Sequence, residues 1–111
     1  MKILHICPRD LWEAAQATGE YRAASLKTEG FIHCSTPEQV VGSANRFYRG
    51  RQGLLLLMID PARVGSEVRY ETAGDGLAYP HIYGPLPVAA VTETIPFPPE
   101  PDGSFRLPAI L

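Results

Sequence analysis

Hydrophobic and polar positions follow two different rhythms along this chain, and each rhythm predicts its own elements. Lys2–Cys7 is apolar except for His5, which reads as a strand with His5 on one face and Leu4 and Ile6 on the other. Pro8-Arg9-Asp10 interrupts it, and Asp10 followed by Glu13 fits a capping box with Asp10 as N-cap. The spacing then predicts a helix over Leu11–Thr18, with Leu11, Ala14, Ala15 and Thr18 on one stripe and Gly19 as its stop. Tyr21–Glu29 has little periodicity and is expected as loop, with a helical turn at Ala23–Leu26.

A second strand is expected over Phe31–Ser35, entered through Gly30. Thr36-Pro37-Glu38-Gln39 then predicts a helix start: Thr36 caps, Pro37 suits the first helical position, and Gln39 reaches back to the cap backbone. Val40, Val41, Ala44, Phe47 and Tyr48 follow as an apolar helical face, ended by Gly50 and Gly53. Leu54–Ile59 is continuously apolar and of strand length, which predicts the central buried strand. Glu67–Glu71 alternates as a strand with one wet face, and Gly74-Asp75-Gly76 is a loop. His81–Tyr83 and Val88–Ile95 read as two further strands, separated by Gly84-Pro85-Leu86-Pro87.

The last 16 residues hold five prolines and are expected as an extended arm, 96–111, lying on the domain. Otherwise Phe97, Phe105, Leu107, Ile110 and Leu111 would be stranded in water. Two helices and five or six short strands, with tight connections late in the chain, predict a single α+β domain over 1–111 with a mostly antiparallel sheet.

Composition narrows the class without naming a chemistry. The chain has 111 residues, 45% hydrophobic and 20% charged, which suits one globular domain and excludes fibrous or disordered classes. Its longest apolar run, Leu54–Ile59, is too short to span a bilayer, and the N-terminus lacks a signal-peptide core, so a cytoplasmic protein without a membrane partner is expected. A net charge of −2 gives no basic field for non-specific nucleic-acid binding. Two cysteines are too few for a disulfide framework or a cysteine-based zinc site, and the three histidines lack ligand spacing, so no metal is expected. Eight arginines against two lysines suit bidentate binding of carboxylate or phosphate, although codon bias yields the same ratio.

Candidate chemistry gathers around the histidines. His5 and His33 sit in short strands, where a ring nitrogen can hold a ribose hydroxyl or move a proton; the alternative is a half-buried imidazole bonded to backbone. Ser35 and Thr36 follow His33 at a strand-to-helix junction, where free N–H groups can bind a phosphate or simply be capped. Arg46, with Arg49 and Arg51, can grip phosphate or merely complement the helix dipole. Glu71 ends a strand, where a carboxylate can stabilise a cationic sugar, although lone exposed glutamates are common. In Pro80-His81-Ile82-Tyr83-Gly84-Pro85, alternation places His81 and Tyr83 on one face, which favours a site over a structural corner. The same alternation separates Cys34 from His33 and excludes a direct cysteine–histidine pair there.

Two blocks carry a resemblance. Glu29–Val40 with Ala44-Asn45-Arg46-Phe47-Tyr48, and Pro80–Leu86, together with the strand of His5 and the helix of Trp12, resemble a bacterial family of small proteins, domain-of-unknown-function family 952. That family is grouped by fold with ADP-ribosyltransferases, which implies a split-sheet ADP-ribosyltransferase-like fold. A more distant likeness is to tRNA 2′-phosphotransferases, whose Tyr-His-Gly-Thr strand, His-Leu-Ser strand opening a helix, and apolar strand ending in an acidic residue occur in the order of Leu4-His5-Ile6, His33-Cys34-Ser35 and Leu54–Asp60. After His5 this chain has Ile6-Cys7 where those enzymes have Gly-Thr. The resemblance implies a site for NAD or an ADP-ribose-type nucleotide and transfer or hydrolysis of an ADP-ribosyl group, with RNA or protein as an unassigned acceptor. In that scheme His5 holds a ribose, His33 and Ser35 match a His-x-Ser pair, and Ser35 and Thr36 at the helix start take a phosphate, with Arg46 as a second anion contact. His81 and Tyr83 contact the nucleotide, Tyr83 by stacking, while Glu71 and His33 serve catalysis. A non-catalytic nucleotide-binding module, favoured by the missing Gly-Thr, and a protein–protein adaptor using the proline-rich arm are the alternatives.

Overall fold

Three short antiparallel sheets, held between helices, make up the molecule in a computed structural model that describes residues 2–109. The first sheet has β4 (Leu54–Ile59) between β1 (Ile3–Pro8) and β8 (Val91–Pro96). The second has β6 (Ala78–Ile82) between β3 (Ile32–His33) and β5 (Val68–Thr72). A two-residue pairing of β2 (Glu20–Tyr21) with β7 (Leu86–Pro87) forms the third. The expected α+β class with antiparallel strands is what the chain adopts, and the apolar run Leu54–Ile59 is the central strand of its sheet.

The two larger sheets meet through an antiparallel bridge in which Leu4 N–H donates to Ser35 O at 2.7 Å and Ser35 N–H to Leu4 O at 2.8 Å. Strand alternation carries across this junction. Leu4 and Ile6 join one apolar cluster with Val40, Ala44, Leu54, Leu56, Ile95, Phe97 and Phe105. Ile3 and Cys7, pointing the other way with His5, join a second with Tyr21, Ile32, Cys34, Leu55, Leu57, Ile59 and Ile82. Leu56 and Leu57 are both fully buried, one in each cluster, which is why β4 shows no polar alternation.

Helix α1 (Arg9–Thr18) follows β1 directly, with Pro8 at its N-cap and no side-chain cap bond, so Asp10 is a first-turn residue rather than the cap. Its Ala15 is buried and Trp12 packs against the Tyr21 cluster, whereas Leu11 is largely exposed. Gly19 ends it with φ +84° and its N–H on Ala15 O, a conformation that side chains resist. The expected turn near Ala23–Leu26 is a five-residue helix, α2 (Ala24–Thr28).

Helix α3 (Val40–Phe47) begins later than the Thr36 cap predicted. Gln39 does reach back, accepting from Thr36 N–H at 3.1 Å, but its amide also donates to Ala78 O at 2.8 Å. With Gln39 N–H and Val40 N–H both on Thr36 O, Pro37–Gln39 is held as a turn ahead of the helix. Val40 and Ala44 then bury against Leu4 and Leu56.

Val88–Ala90 is a 3-10 turn, so the last strand starts at Val91. In the C-terminal segment Phe97 and Phe105 are buried with their rings 4.8 Å apart, and Phe105 N–H donates to Asn45 Oδ1. Leu107 is 45% exposed rather than packed, and Ile110 and Leu111 lie outside the described residues.

Candidate functional site: an imidazole–carboxylate cluster on an open sheet face

Register decides which side chains meet. His33 pairs across from His81, and His81 across from Arg69, so three strands present these residues in one row. Alternation adds Phe31 beside His33, Tyr79 and Tyr83 beside His81, and Glu67 and Glu71 beside Arg69. The opposite face of the same strands holds Ile32, Cys34, Pro80 and Ile82, all buried. The chemistry therefore sits on the outer face of the sheet, and the core behind it sets the register.

At the centre, one carboxylate oxygen serves two neighbours. Glu71 Oε1 accepts from His81 Nδ1 at 2.7 Å and from the Tyr83 hydroxyl at 2.6 Å. The Tyr83 and His81 bonds hold the Glu71 carboxyl below the usual carboxylate range, and the same bond pushes the Tyr83 phenol up. An ionised carboxylate only accepts, so His81 carries its proton on Nδ1 when neutral, and Nε2 is left with a free lone pair. Neither Glu71 Oε2 nor His81 Nε2 has a hydrogen-bond partner among the described residues.

Aromatic packing fixes the imidazole planes. Phe31 stacks on His81 with centroids 4.0 Å apart and an interplanar angle of 18°. His33 stands edge-on to both, 4.8 Å from Phe31 and 5.3 Å from His81, and its Nε2 is bonded to Glu29 Oε2 at 3.0 Å. The His81 side chain is only 13% exposed, whereas that of Glu71 is 39% exposed and that of His33 54%. Arg69 lies over the Tyr83 ring, Cζ 4.4 Å from its centroid.

Gly84 closes the Pro80–Pro85 segment with a close approach. A Cβ there would stand 2.1 Å from Ser66 Oγ and 2.8 Å from Ser66 Cβ, so the chain passes only without a side chain. Tyr83 N–H donates to Glu67 O alongside, which sets the phenol above the strand.

Of the residues read from sequence, Glu71, His33, His81 and Tyr83 come together. His5 does not. It is buried on the other side of the junction, with Nδ1 donating to His33 O at 2.6 Å and Nε2 accepting from the Tyr21 hydroxyl at 2.9 Å. Both ring nitrogens are spent, and burial lowers its pKa to about 4, so it is a neutral internal strut where a ribose contact was expected.

Ser35 shares the His33 face, but α3 roofs it and its hydroxyl donates to Ser43 Oγ. Thr36 lies in the turn before α3, and its amide is occupied by Gln39. Arg46 reaches only the rim: it lies 3.7 Å from Asp75 Oδ2, which also accepts from Tyr79, the register partner of Glu71.

Phe31, Glu29, Arg69 and Tyr79 were not singled out from sequence; strand alternation from His33 and His81 was the one signal that could have found Phe31 and Tyr79. A separate hollow of about 390 Å³ opens beside α1, lined by Leu11, Ala15, Tyr21 and Arg22 among others. Among the described residues no group of three or more His, Cys, Asp or Glu side chains is arranged around a metal position, and no helix is long and apolar enough to cross a membrane.

Comparison with known proteins finds a family match and the same overall fold. A family model described as a protein of unknown function (DUF952) matches residues 6–94. The crystal structure of protein CC0527 from Caulobacter crescentus is 33% identical, with a TM-score of 0.88 over 96% of this chain and 95% of that one. Its solution NMR structure, also 33% identical, gives 0.85 over 99% and 96%. No curated protein matches this chain.

Proposed function

We propose that this chain, which belongs to the DUF952 family, uses the outer face of its β3–β6–β5 sheet to bind an NAD- or ADP-ribose-type nucleotide and to transfer or hydrolyse its ADP-ribosyl group. The observation that carries the reading is the shared Glu71 oxygen. It orients His81 and Tyr83 and leaves Glu71 Oε2 and His81 Nε2 open beside an aromatic patch.

Charge supports a cationic guest. Glu29, Glu67 and Glu71 outnumber the single guanidinium of Arg69 in the cluster. Such a surface favours a pyridinium ring over Phe31, His81 or Tyr83 and an oxocarbenium-like sugar beside Glu71. In hydrolysis the C1′–N bond breaks and its electron pair leaves with neutral nicotinamide. Glu71 Oε2 faces the cationic carbon, and His81 Nε2 takes the proton of the attacking water. The Nδ1–Glu71 bond stabilises the imidazolium so formed. In transfer, an acceptor hydroxyl replaces that water.

Two three-stranded sheets that meet at the Leu4–Ser35 bridge and the His5–His33 bond support the ADP-ribosyltransferase-like reading of the fold. His5, Ser35 and Thr36 do not stand beside Glu71, so the reading confines the nucleotide's reacting half to the sheet face and assigns them no contact.

The openness of that face, together with Ile6-Cys7 after His5, favours a second reading, a binding module without turnover. Incubation with NAD and chromatography of the products separates the two. Release of nicotinamide, abolished in Glu71→Gln with binding retained, supports the enzyme. Binding without release supports the module, and failure of NAD, ADP-ribose and nucleoside phosphates to bind by calorimetry removes both.

A further inference from the structure

Arg69 is the one arginine or lysine among the side chains that form the cluster, and its setting is unusual for a solvated strand residue. Its guanidinium lies over the Tyr83 ring, and Nη2 donates to Glu67 Oε1 at 2.9 Å. A guanidinium offers five N–H donors in a rigid fork, so most remain available in an orientation fixed by the phenol beneath. An exposed pair such as Glu67–Arg69 contributes little to stability, and a β5 edge position needs charge but no stacking. Glu71 follows two residues later on the same face, about 7 Å along an extended strand. The phenol beneath the guanidinium also donates to Glu71 Oε1, so fork and carboxylate flank one ring, as the 5′-phosphate and C1′ flank one ribose.

We infer that Arg69 reads the 5′-phosphate of the ribose whose C1′ faces Glu71, so that the site takes 5′-phosphorylated nucleotides and discriminates against nucleosides. The inference rests on the nucleotide reading above and adds to it a specificity-determining residue. Arg69 supplies the fork, Tyr83 keeps it flat, and Glu67 restrains it until an anion competes for the same donors. Because the contact is charge-assisted and half exposed, its contribution declines as salt rises.

Isothermal titration with nicotinamide riboside and nicotinamide mononucleotide, which differ only by that phosphate, tests the assignment. The wild type should prefer the mononucleotide by tenfold or more at low salt. Arg69→Gln should erase the preference by weakening the mononucleotide without weakening the cationic riboside, Arg69→Lys should keep part of it, and Glu67→Gln should raise mononucleotide affinity severalfold. Circular dichroism confirms that each variant folds. Equal binding of the two compounds by the wild type, a preference surviving in Arg69→Gln, or a fall in Glu67→Gln overturns the role of Arg69 and leaves the nucleotide site standing. If neither compound binds, the nucleotide reading fails, and the role of Arg69 with it.

Discussion

The carbonyl of His33 accepts a hydrogen bond from Nδ1 of His5, 2.6 Å away, so a buried imidazole on one sheet holds the backbone of an exposed one on the other. A carbonyl only accepts, so this bond fixes the His5 tautomer and leaves Nε2 to accept from Tyr21. Charging His5 would put a second proton against the Tyr21 oxygen inside the core.

Stability should therefore depend on pH through His5. The unfolded ring titrates near 6.5 and the folded one near 4, so only the unfolded state takes up the proton between these values. The fold keeps its full stability above 6.5 and loses it as pH falls toward 4, by about 3 kcal/mol in total. Glu71, whose pKa is lowered by Tyr83 and His81, acts in the same direction as it protonates. Urea unfolding at stepped pH measures the slope, and His5→Gln should flatten it while costing about 1–3 kcal/mol at neutral pH from the buried bonds.

Replacing Glu71 should be felt first at Tyr83. Glu71→Gln removes the negative acceptor that raises the phenol's pKa, so the difference between wild-type and variant spectrophotometric tyrosine titrations should show one tyrosine ionising at lower pH. An unchanged titration would mean that the bond at 2.6 Å does not persist in solution.

Phe31→Ala should remove the surface on which His81 stacks. The expected cost is about 1 kcal/mol, since one aromatic pair beyond area burial contributes about 0.5–1.5 kcal/mol. The imidazole resonances of both His33 and His81 should shift in NMR spectra, because Phe31 touches both rings.

Leu56→Ala should cost about 2–5 kcal/mol, because Leu56 is fully buried among Leu4, Val40 and Phe97 and its cavity cannot collapse against a central strand. Thermal denaturation checks this. Leu11→Ala, on an exposed stripe of α1, should change little.

Both thiols should resist labelling in the native state. Cys7 is buried and its pKa is pushed up to about 11, and burial likewise raises Cys34. Modification at neutral pH should proceed only as fast as the fold opens.

Sequence disclosed the parts governed by local periodicity. Leu54–Ile59 had the length and apolarity of a central strand, Gly19 the freedom a helix end requires, and His81 and Tyr83 the two-residue spacing that puts them on one carboxylate. What escaped was fixed by distant partners. The β2–β7 pairing spans two residues and carries no period. The late start of α3 depends on Gln39 finding Ala78 O, 39 positions away. In the sequence Phe31 and Arg69 read only as strand positions, and it is cross-strand register that sets them against His81. His5 was drawn toward a ribose by its residue type, whereas its neighbours Ile3 and Cys7 already pointed inward with it.

Leu4 and Ile6 anchor β1 to one apolar cluster, and Ile3 and Cys7 to the other, so the opening segment admits a single reading frame. Adding or deleting one amino acid there would swing the imidazole into aliphatic surroundings and bring a leucine against the tyrosine hydroxyl, with no neutral alternative to settle into. Length changes should be tolerated in the exposed loop between β5 and β6 and not in the first strand, an asymmetry that deletion scanning would expose directly.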